Sequence, residues 1–378
     1  MTAPPPPPDR LDSLTGLRFV LAVLVFLTHA LETARFFADD ALNDLGVIAP
    51  YGIASLSCFF VLSGFALTWS APKNDTAARF WRRRVVKIFP NHVISWTLTL
   101  VLIGAVFGPL PMLGPLPDPG PALANLALVQ TWIPVPSYLL SVNGISWSVS
   151  AELFFYLVFP LLIGPLRRIP ARHLWWWFGG VAAAVAAAPA LIDTAIDGPA
   201  WPLWPPLTFT ETWLVYFMPV VRLPEFLLGV VLALIVRAGR WPGIGPWTVA
   251  AATGLVYLAT LALPPIYGRS GVLIIALCLL IPLLAVRDAR GTPGWLRHPA
   301  VVALGDASYA MYLLHYPVMA VTRHLVGPGR DVGLLEGSLI IAGMFVVCQL
   351  LAVAMFRYVE NPLVRRYSRP VSDRAPRV

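Results

Sequence analysis

The chain consists largely of apolar segments that are each long enough to cross a bilayer, and this pattern constrains the fold most. A helix that crosses the hydrocarbon core needs about 20 mostly apolar residues. Only 12% of the residues are charged and 58% are hydrophobic, so no soluble core could bury this much apolar surface. We therefore predict an all-α fold, a polytopic membrane bundle of about ten transmembrane helices. The predicted spans are residues 17–37, 47–70, 87–108, 147–165, 174–192, 213–236, 245–263, 268–286, 303–325 and 337–356.

Residues 109–146 separate the third and fourth predicted spans and are rich in proline. Their second half, 122–140, is moderately apolar. The segment is therefore either an interfacial or re-entrant element or an eleventh span. Outside the spans, the proline-rich residues 1–12 and the polar residues 368–378 are predicted to be disordered cytoplasmic tails. They flank one transmembrane domain, residues 13–367.

The distribution of Lys and Arg predicts the orientation of the bundle. With a cytoplasmic N-terminus, 22 of the 27 Lys and Arg residues lie in cytoplasmic segments or at cytoplasmic helix ends. We expect a multi-pass protein of the cytoplasmic membrane with both termini in the cytoplasm. An eleventh span would place the Arg-rich C-terminus outside, so the charge pattern disfavours it. Since this orientation accounts for the net charge of +8, we predict the lipid bilayer as a partner and no nucleic acid.

Few ionisable residues lie inside the predicted spans, and such residues are functional candidates because they are costly to bury in hydrocarbon. Arg18 and His29 are eleven residues apart in the first span, so they share a helix face, with His29 about 16 Å deeper. His315 lies about 18 Å from the cytoplasmic face in the ninth predicted span, at nearly the same depth. The structural alternative for either histidine is a core residue hydrogen-bonded to a neighbouring helix.

Two further spans contain acidic residues. Glu152 is predicted to lie just below the outer interface in the fourth span, where it needs a partner or water. It is either part of a helix-to-helix salt bridge or a functional acid. Arg222 and Glu225 are three residues apart in the sixth span and can pair with each other. We interpret them as an internal ion pair and keep both as candidate site residues.

Residues 79–90 form a dense cationic cluster at the predicted cytoplasmic face. Lys and Arg at such a position bind lipid headgroups or stop the transfer of the chain. Arg84 and Lys87, at the start of the third span, are alternatively spaced to bind the phosphates of a ligand. The spacing of His, Cys, Asp and Glu in the sequence does not match a metal site, so we expect no metal.

Together these features resemble the acyltransferase family 3 membrane proteins, which transfer acyl groups to hydroxyls. Arg18 and His29, separated by ten residues, match the family signature R-x10-H. The family's R-x-x-R-I-x-P motif corresponds to residues 84–90, where Lys87 replaces the second Arg and keeps the charge without the bidentate geometry. The other matches, in the right order between about residues 10 and 367, are residues 59–65 (which include Ser63), 147–156, 305–315 and 358–362.

The resemblance implies an acyl-CoA-dependent O-acyltransferase with no tightly bound cofactor and with acetyl-CoA or a short acyl-CoA as co-substrate. It implies that His29 is the general base and that the CoA phosphates meet the cationic residues Arg18, Arg83, Arg84 and Lys87. Within this mechanism, Glu152 or another buried acid would orient His29. His315 or a backbone N–H would stabilise the oxyanion. A covalent acyl-histidine relay is the alternative to direct transfer.

Residues 14–19 and 65–69 resemble the actinobacterial branch of the family, which acylates macrolides and their sugars. The first alternative is O-acetylation of a cell-envelope polysaccharide or glycan by the same chemistry. The second, from another class, is a proton-coupled secondary transporter whose intramembrane His and Glu relay protons. No internal repeat is visible in the sequence, and the cationic cluster suits a CoA donor, so both features favour the acyltransferase. The oligomeric state stays open.

Overall fold

The computed structural model describes residues 10–43, 49–72 and 75–367, and within these ranges the regular structure is helical. The predicted all-α fold is confirmed. The predicted tails fall mainly on residues 1–9 and 368–378, which lie outside the described residues. The α-helices are, in chain order, α1 (Asp12–Thr28), α2 (Asp40–Asn43), α3 (Ala49–Ser70), α4 (Ala77–Val101), α5 (Pro119–Leu126), α6 (Pro136–Leu139), α7 (Trp147–Arg167), α8 (Leu174–Ala195), α9 (Phe209–Thr212), α10 (Pro219–Arg237), α11 (Pro246–Leu261), α12 (Ile266–Arg269), α13 (Ile274–Leu277), α14 (Leu280–Ala289), α15 (Pro299–Asp306), α16 (Ser308–Val326), α17 (Leu334–Met355) and α18 (Asn361–Tyr367).

In the described part of the chain, seven helical stretches are long and apolar enough to cross a membrane. The protein is thus an all-α polytopic membrane protein, whereas the predicted number of about ten spans is not confirmed. Several stretches join an α-helix to a neighbouring π-helical or 3-10 turn. The seven stretches are Asp12–Thr33, Gly52–Ser70, Ala77–Val106, Gly144–Arg167, Ala171–Ala195, Phe209–Arg237 and Leu334–Tyr367.

The other three predicted spans are shorter or interrupted. Helix α11 has 16 residues and therefore a length of about 24 Å, less than the thickness of a typical hydrocarbon core. Residues 268–286 are divided among α12, α13 and α14. Residues 303–325 are divided at Ala307 into α15 and α16, and α16 contains charged and polar residues. Apolar composition alone does not reveal these breaks.

Glycines allow the central helices to pack with their backbones in contact. A Cβ atom at Gly229 of α10 would lie 1.9 Å from the carbonyl oxygen of Val61 in α3, and one at Gly64 would lie 2.1 Å from Phe226 O. Small residues at helix contacts are typical of membrane bundles, because they let the backbones approach closely. The close approach of α3 and α10 positions Ser63, which is next to Gly64.

Residues 107–146 fold back against the bundle and form no eleventh span, since α5 and α6 have only eight and four residues. Buried polar contacts attach this segment to the long helices. His92 Nε2 lies 3.0 Å from Asn125 O. Asn143 Nδ2 donates to Ser95 Oγ and to Leu313 O, both at 2.9 Å. The structure therefore agrees with the re-entrant or interfacial alternative.

Several helix ends that are rich in arginine meet at one end of the bundle, which we call the arginine-rich end. Arg167 donates to Ala71 O at 2.8 Å, and Arg237 donates to Trp69 O at 2.9 Å. Arg10, just before α1, pairs with Asp306 at 3.0 Å. Helices α1, α3, α7, α10 and α15 thus have an end here, as the predicted alternation of spans requires.

Candidate active site

His29 and His315 are in direct contact. His315 Nε2 lies 3.1 Å from His29 Nδ1, although the two residues are 286 positions apart in the chain. The similar depth predicted for the two histidines from helix geometry is confirmed by this contact. His29 begins a π-helical turn, His29–Thr33, which continues α1. Such turns frequently occur at functional sites, and the sequence gives no signal for this one.

The hydrogen bonds around the two rings define which nitrogens carry protons. His315 Nδ1 lies 2.6 Å from Tyr312 O, which can only accept, so Nδ1 carries the proton and Nε2 of the neutral ring is an acceptor. His29 Nδ1 then faces two acceptors, His315 Nε2 and Val25 O at 3.0 Å. It must therefore be protonated, and the lone pair of neutral His29 is on Nε2.

A cavity opens at the arginine-rich end and extends between α1, α3, α4, α7 and α16. Its empty volume is about 1360 Å³, part of which is open to solvent. On α3 its lining extends from Ser70 to Leu56, a length of about 21 Å by the helical rise. On α16 the lining ends at Tyr312, one helical turn before His315. The cavity therefore ends next to the histidine pair.

Tyr312 separates the cavity from the histidines. Its hydroxyl donates to Ile145 O and accepts from Ser148 Oγ, both at 2.8 Å. The centroids of the Tyr312 and His315 rings are 5.6 Å apart. Tyr312 was not among the residues predicted from the sequence, although its position three residues before His315 places both on one face of a helix.

Three of the four cationic residues expected to meet phosphates line the cavity, namely Arg18, Arg84 and Lys87. Among the residues that the structure describes, none of the three forms an ion pair or a side-chain hydrogen bond. Arg84 Nε is buried without a partner, and its guanidinium lies 5.6 Å from the ring centroids of Phe80 and of Tyr156. These three charges, none of which is in an ion pair, make the cavity suitable for an anion.

The structure places Arg83 elsewhere. Arg83 forms an ion pair with Asp75, through NH1 to Oδ1 at 3.2 Å and NH2 to Oδ2, and it lies outside the cavity lining. On α4 the side chains of neighbouring positions point in directions about 100° apart, so Arg83 and Arg84 cannot both face the cavity. The two residues share a charge, and the sequence does not show which of them lies on the face of α4 that meets the cavity.

A second buried acid, Glu360, lies near the cationic residues of the cavity. Asn91 Nδ2 donates to Glu360 Oε2 at 2.6 Å, and Glu360 interacts electrostatically with Lys87 and Arg18. Glu360 is only 4% exposed and belongs to the π-helical turn Phe356–Glu360. The motif at residues 358–362 indicated this region, but not that its acid interacts electrostatically with Lys87.

Glu152 lines the cavity at the middle of its length and does not contact the histidine pair. Its Oε1 accepts hydrogen bonds from Ser63 Oγ at 3.0 Å and from Tyr156 OH at 2.5 Å. The expectation that Glu152 orients His29 is therefore not met in this structure, where the partner of His29 is His315. Tyr156 is four residues after Glu152, and this spacing could have identified it from the sequence.

Arg222 and Glu225 form the internal ion pair that the sequence predicts. Arg222 NH1 lies 2.8 Å from Glu225 Oε1, and both side chains are almost fully buried. Arg222 also donates to Ser57 Oγ at 2.9 Å. Neither residue lines the cavity described above. Across the described ranges, no three His, Cys, Asp or Glu side chains are grouped as metal ligands would be.

The chain belongs to the acyltransferase domain family (acyltransferase family 3), which it matches over residues 11–353. It is 36% identical to acyltransferase MdmB of Streptomyces mycarofaciens, with 99% of each chain covered. It is 27% identical to the exopolysaccharide production protein ExoZ of Rhizobium meliloti, over 83% of this chain and 90% of the relative. It is 24% identical to the O-acetyltransferase OatA of Staphylococcus aureus, over 95% of this chain and 58% of the relative. No solved structure matches the chain.

Proposed function

We propose that the protein is an O-acyltransferase that moves a short acyl group from acyl-CoA to a hydroxyl of a macrolide or of its sugar. The similarity to a Streptomyces acyltransferase over nearly the whole of both chains supports this proposal. The resemblance of residues 14–19 and 65–69 to the actinobacterial branch supports the macrolide as acceptor. The proposal places the protein in the cytoplasmic membrane with both termini in the cytoplasm.

The donor is assigned from the charge of the cavity. CoA is an anionic, cytosolic molecule, and the cavity opens at the arginine-rich end, with Arg18, Arg84 and Lys87 in its lining. In the proposed orientation this end faces the cytoplasm. The CoA phosphates bind the three cations, and the acyl thioester extends towards Tyr312 and the histidine pair.

The pair of contacts that His29 Nδ1 makes with Val25 O and His315 Nε2 is the single observation that carries the proposed mechanism. His29 Nδ1–H is held by Val25 O and His315 Nε2, so Nε2 has the free lone pair that a general base needs. His29 Nε2 takes the proton of the acceptor hydroxyl as its oxygen attacks the thioester carbonyl. Collapse of the tetrahedral intermediate breaks the C–S bond, and the proton passes from His29 to the departing sulfur.

His315 acts as a positioning residue in this mechanism. Both of its ring nitrogens are engaged, with Tyr312 O and with His29 Nδ1, so it has no free N–H for an oxyanion. This geometry replaces the oxyanion role that the sequence analysis considered for His315. When His29 becomes protonated, the acceptor nitrogen of His315 stabilises the imidazolium by a charge-assisted hydrogen bond.

The substitution His29→Gln tests the proposed base. Glutamine keeps a hydrogen-bonding side chain but cannot accept a proton at neutral pH, and loss of a general base typically lowers the rate about 10²- to 10⁴-fold. We expect His29→Gln to bind CoA and to be nearly inactive. The measurement is release of free CoA from acetyl-CoA, with mass spectrometry of products from a panel of macrolides and glycans.

His92→Gln is the matched control, because His92 is also buried and bonds a backbone carbonyl, that of Asn125. The control should remain within a few-fold of the wild-type rate. Activity of His29→Gln within a few-fold of wild type would remove His29 as the base.

O-acetylation of a cell-envelope polysaccharide or glycan is the second candidate. It is supported by the similarity to ExoZ and OatA, whose names refer to exopolysaccharide production and to O-acetyl transfer. The chemistry and the residues are the same, so the acceptor panel separates the two candidates. The transporter alternative is not retained, because the chain belongs to an acyltransferase family.

A further inference from the structure

We infer that Glu152, Ser63 and Tyr156 bind the pantetheine arm of the donor by accepting hydrogen bonds from its amide N–H groups. This arm is common to CoA and to carrier-protein thioesters. The inference rests on the proposed function, because it assigns the middle of the cavity to a thioester donor. It gives Glu152 a binding role in place of the catalytic role expected from the sequence.

The cluster lies between the guanidinium of Arg84 and the deep end of the cavity. The guanidinium of Arg84 is 5.6 Å from the Tyr156 ring centroid, so the cationic part of the lining borders the cluster. On α3, Ser63 is seven residues from Ser70 at the mouth and seven from Leu56 at the deep end, about 10 Å from each. The cluster therefore occupies the middle of the cavity.

Beyond the cluster, the lining leads to the histidine pair. Ser148 is four residues before Glu152 on α7, about 6 Å deeper, and it donates to the Tyr312 hydroxyl. His315 follows Tyr312 by one helical turn. The lining thus presents the guanidinium of Arg84 beside the cluster of hydrogen-bonding groups, and beyond the cluster the wall next to the proposed base.

The pantetheine arm has groups in the same order. A phosphate begins the arm, two amides follow in its middle, and the sulfur that carries the acyl group ends it. With the phosphate at Arg84 and Lys87, the amides lie beside Glu152, Ser63 and Tyr156. The thioester then lies near Tyr312, on the side of the cavity that adjoins the histidines.

Glu152 has an unused acceptor for an amide N–H. Oε1 already accepts from Ser63 and Tyr156, whereas Oε2 has no hydrogen-bond partner among the residues that the structure describes. Glu152 also forms no ion pair there. A carboxylate inside a membrane protein needs donors, because an unpaired charge is costly to bury. The three cations in the same cavity disfavour a cationic ligand, and a neutral amide satisfies Oε2 without this repulsion.

Two ligands distinguish the contribution of the arm to binding from that of the nucleotide. CoA carries the arm and the phosphates, whereas 3′-phosphoadenosine 5′-diphosphate carries the phosphates without the arm. Binding of each is measured by calorimetric titration of the detergent-purified full chain, which requires no acceptor. The variants are Glu152→Gln, which removes one negative charge, and Arg84→Gln as the matched control, which removes one positive charge.

For Glu152→Gln, simple electrostatics predicts an unchanged or higher affinity for both ligands, whereas the inference predicts a lower affinity for CoA. Removing a negative charge beside three cations should leave the affinity for the nucleotide unchanged or raise it. Loss of the charged acceptor for the amide should instead weaken CoA about 10-fold or more. Arg84→Gln should weaken both ligands, because both carry the phosphates.

The outcomes distinguish this inference from the proposed function. If Glu152→Gln binds CoA as tightly as wild type or more tightly, or weakens both ligands equally, the arm contact is wrong and the CoA donor stands. If the wild-type protein binds neither ligand, the CoA donor itself is wrong. If a carrier protein that bears a free pantetheine arm displaces CoA, that protein is the source of the arm. If the carrier protein does not displace CoA, the source of the arm is CoA.

Discussion

A hydrogen bond at one ring nitrogen of a buried histidine fixes the tautomer and leaves the lone pair on the other nitrogen. In this protein two backbone carbonyls impose that state, since Tyr312 O fixes the proton on His315 and Val25 O helps to fix it on His29. The carbonyls are available because both histidines lie on helices whose side chains reach back to the preceding turn. The backbone thus determines the tautomer without a carboxylate.

Replacement of His315 tests this arrangement at the scale of one residue. His315→Leu removes the acceptor that faces His29 Nδ1, and hydrogen bonds to charged groups contribute about 1.5–3 kcal/mol. We expect kcat to fall about 10- to 100-fold while the KM for acetyl-CoA is unchanged, because the cavity lining does not include His315. His315→Gln, which has both a donor and an acceptor, should recover much of the loss. Steady-state kinetics on both variants measure the difference.

A purely structural role for His315 would give a different result. Both variants would then lose activity together with thermal stability, and glutamine would give no recovery of kcat. Equal kcat values for His315→Leu and wild type would show that His29 does not need this partner.

The predictions for single residues succeeded where helix periodicity decides the outcome. The 3.6-residue repeat placed His29 and His315 at one depth and paired Arg222 with Glu225, and both contacts are present. The sequence did not separate Arg83 from Arg84, because the face of α4 that meets the cavity depends on the neighbouring helices. It also offered Glu152, or another buried acid, as a partner of His29, since span order alone does not tell which helices are adjacent.

At the scale of helices, the positions of the functional groups depend on close backbone packing. Helices α3 and α10 meet at Gly64 and Gly229, where no Cβ atom fits beside the facing carbonyls. Ser63 is adjacent to Gly64, so a shift of α3 would move Ser63 away from Glu152. The short distance between the two helices is therefore a requirement for the hydrogen-bond cluster in the cavity.

Gly229→Ala should destabilise the protein, because its Cβ would lie 1.9 Å from Val61 O and only backbone movement can relieve the clash. Overpacking a well-packed site typically costs about 1–3 kcal/mol. Gly254→Ala on α11 is the matched control, since no atom lies within 4 Å of the added Cβ and alanine favours the helix. Thermal unfolding in detergent should show a lower Tm for Gly229→Ala alone. An unchanged Tm for this variant would contradict the close packing of α3 and α10.

The predicted spans are not confirmed where helices are interrupted. Residues 268–286 are apolar throughout most of their length, yet they form three short helices. A Cβ atom at Gly271 would lie 2.0 Å from Glu225 Oε1, so this backbone packs directly against the buried ion pair. Such a contact between distant segments overrides local composition, and it cannot be predicted from the hydropathy of the segment.

For the molecule as a whole, the cavity and the charge pattern give one consistent arrangement. The cavity opens at the arginine-rich end, and in the proposed orientation that end faces the cytoplasm, where the proposed CoA donor would be available. Residues 107–146 cover the opposite part of the bundle and contact Leu313, close to Tyr312 and His315. Donor and acceptor would then approach the histidine pair from different directions.

This arrangement predicts that Asp118 faces the outside and Arg168 the cytoplasm. Asp118 precedes α5 and Arg168 follows α7, both residues are exposed, and the three native cysteines are buried and so give little background. A membrane-impermeant maleimide added to intact cells should label Asp118→Cys at once. It should label Arg168→Cys only after the membrane is permeabilised. Each variant is the other's control, because both present a cysteine in an exposed loop. The reverse pattern would invert the bundle and place the cationic cavity on the side that lacks CoA, so the cytosolic acyl-CoA donor would have to be abandoned with the topology.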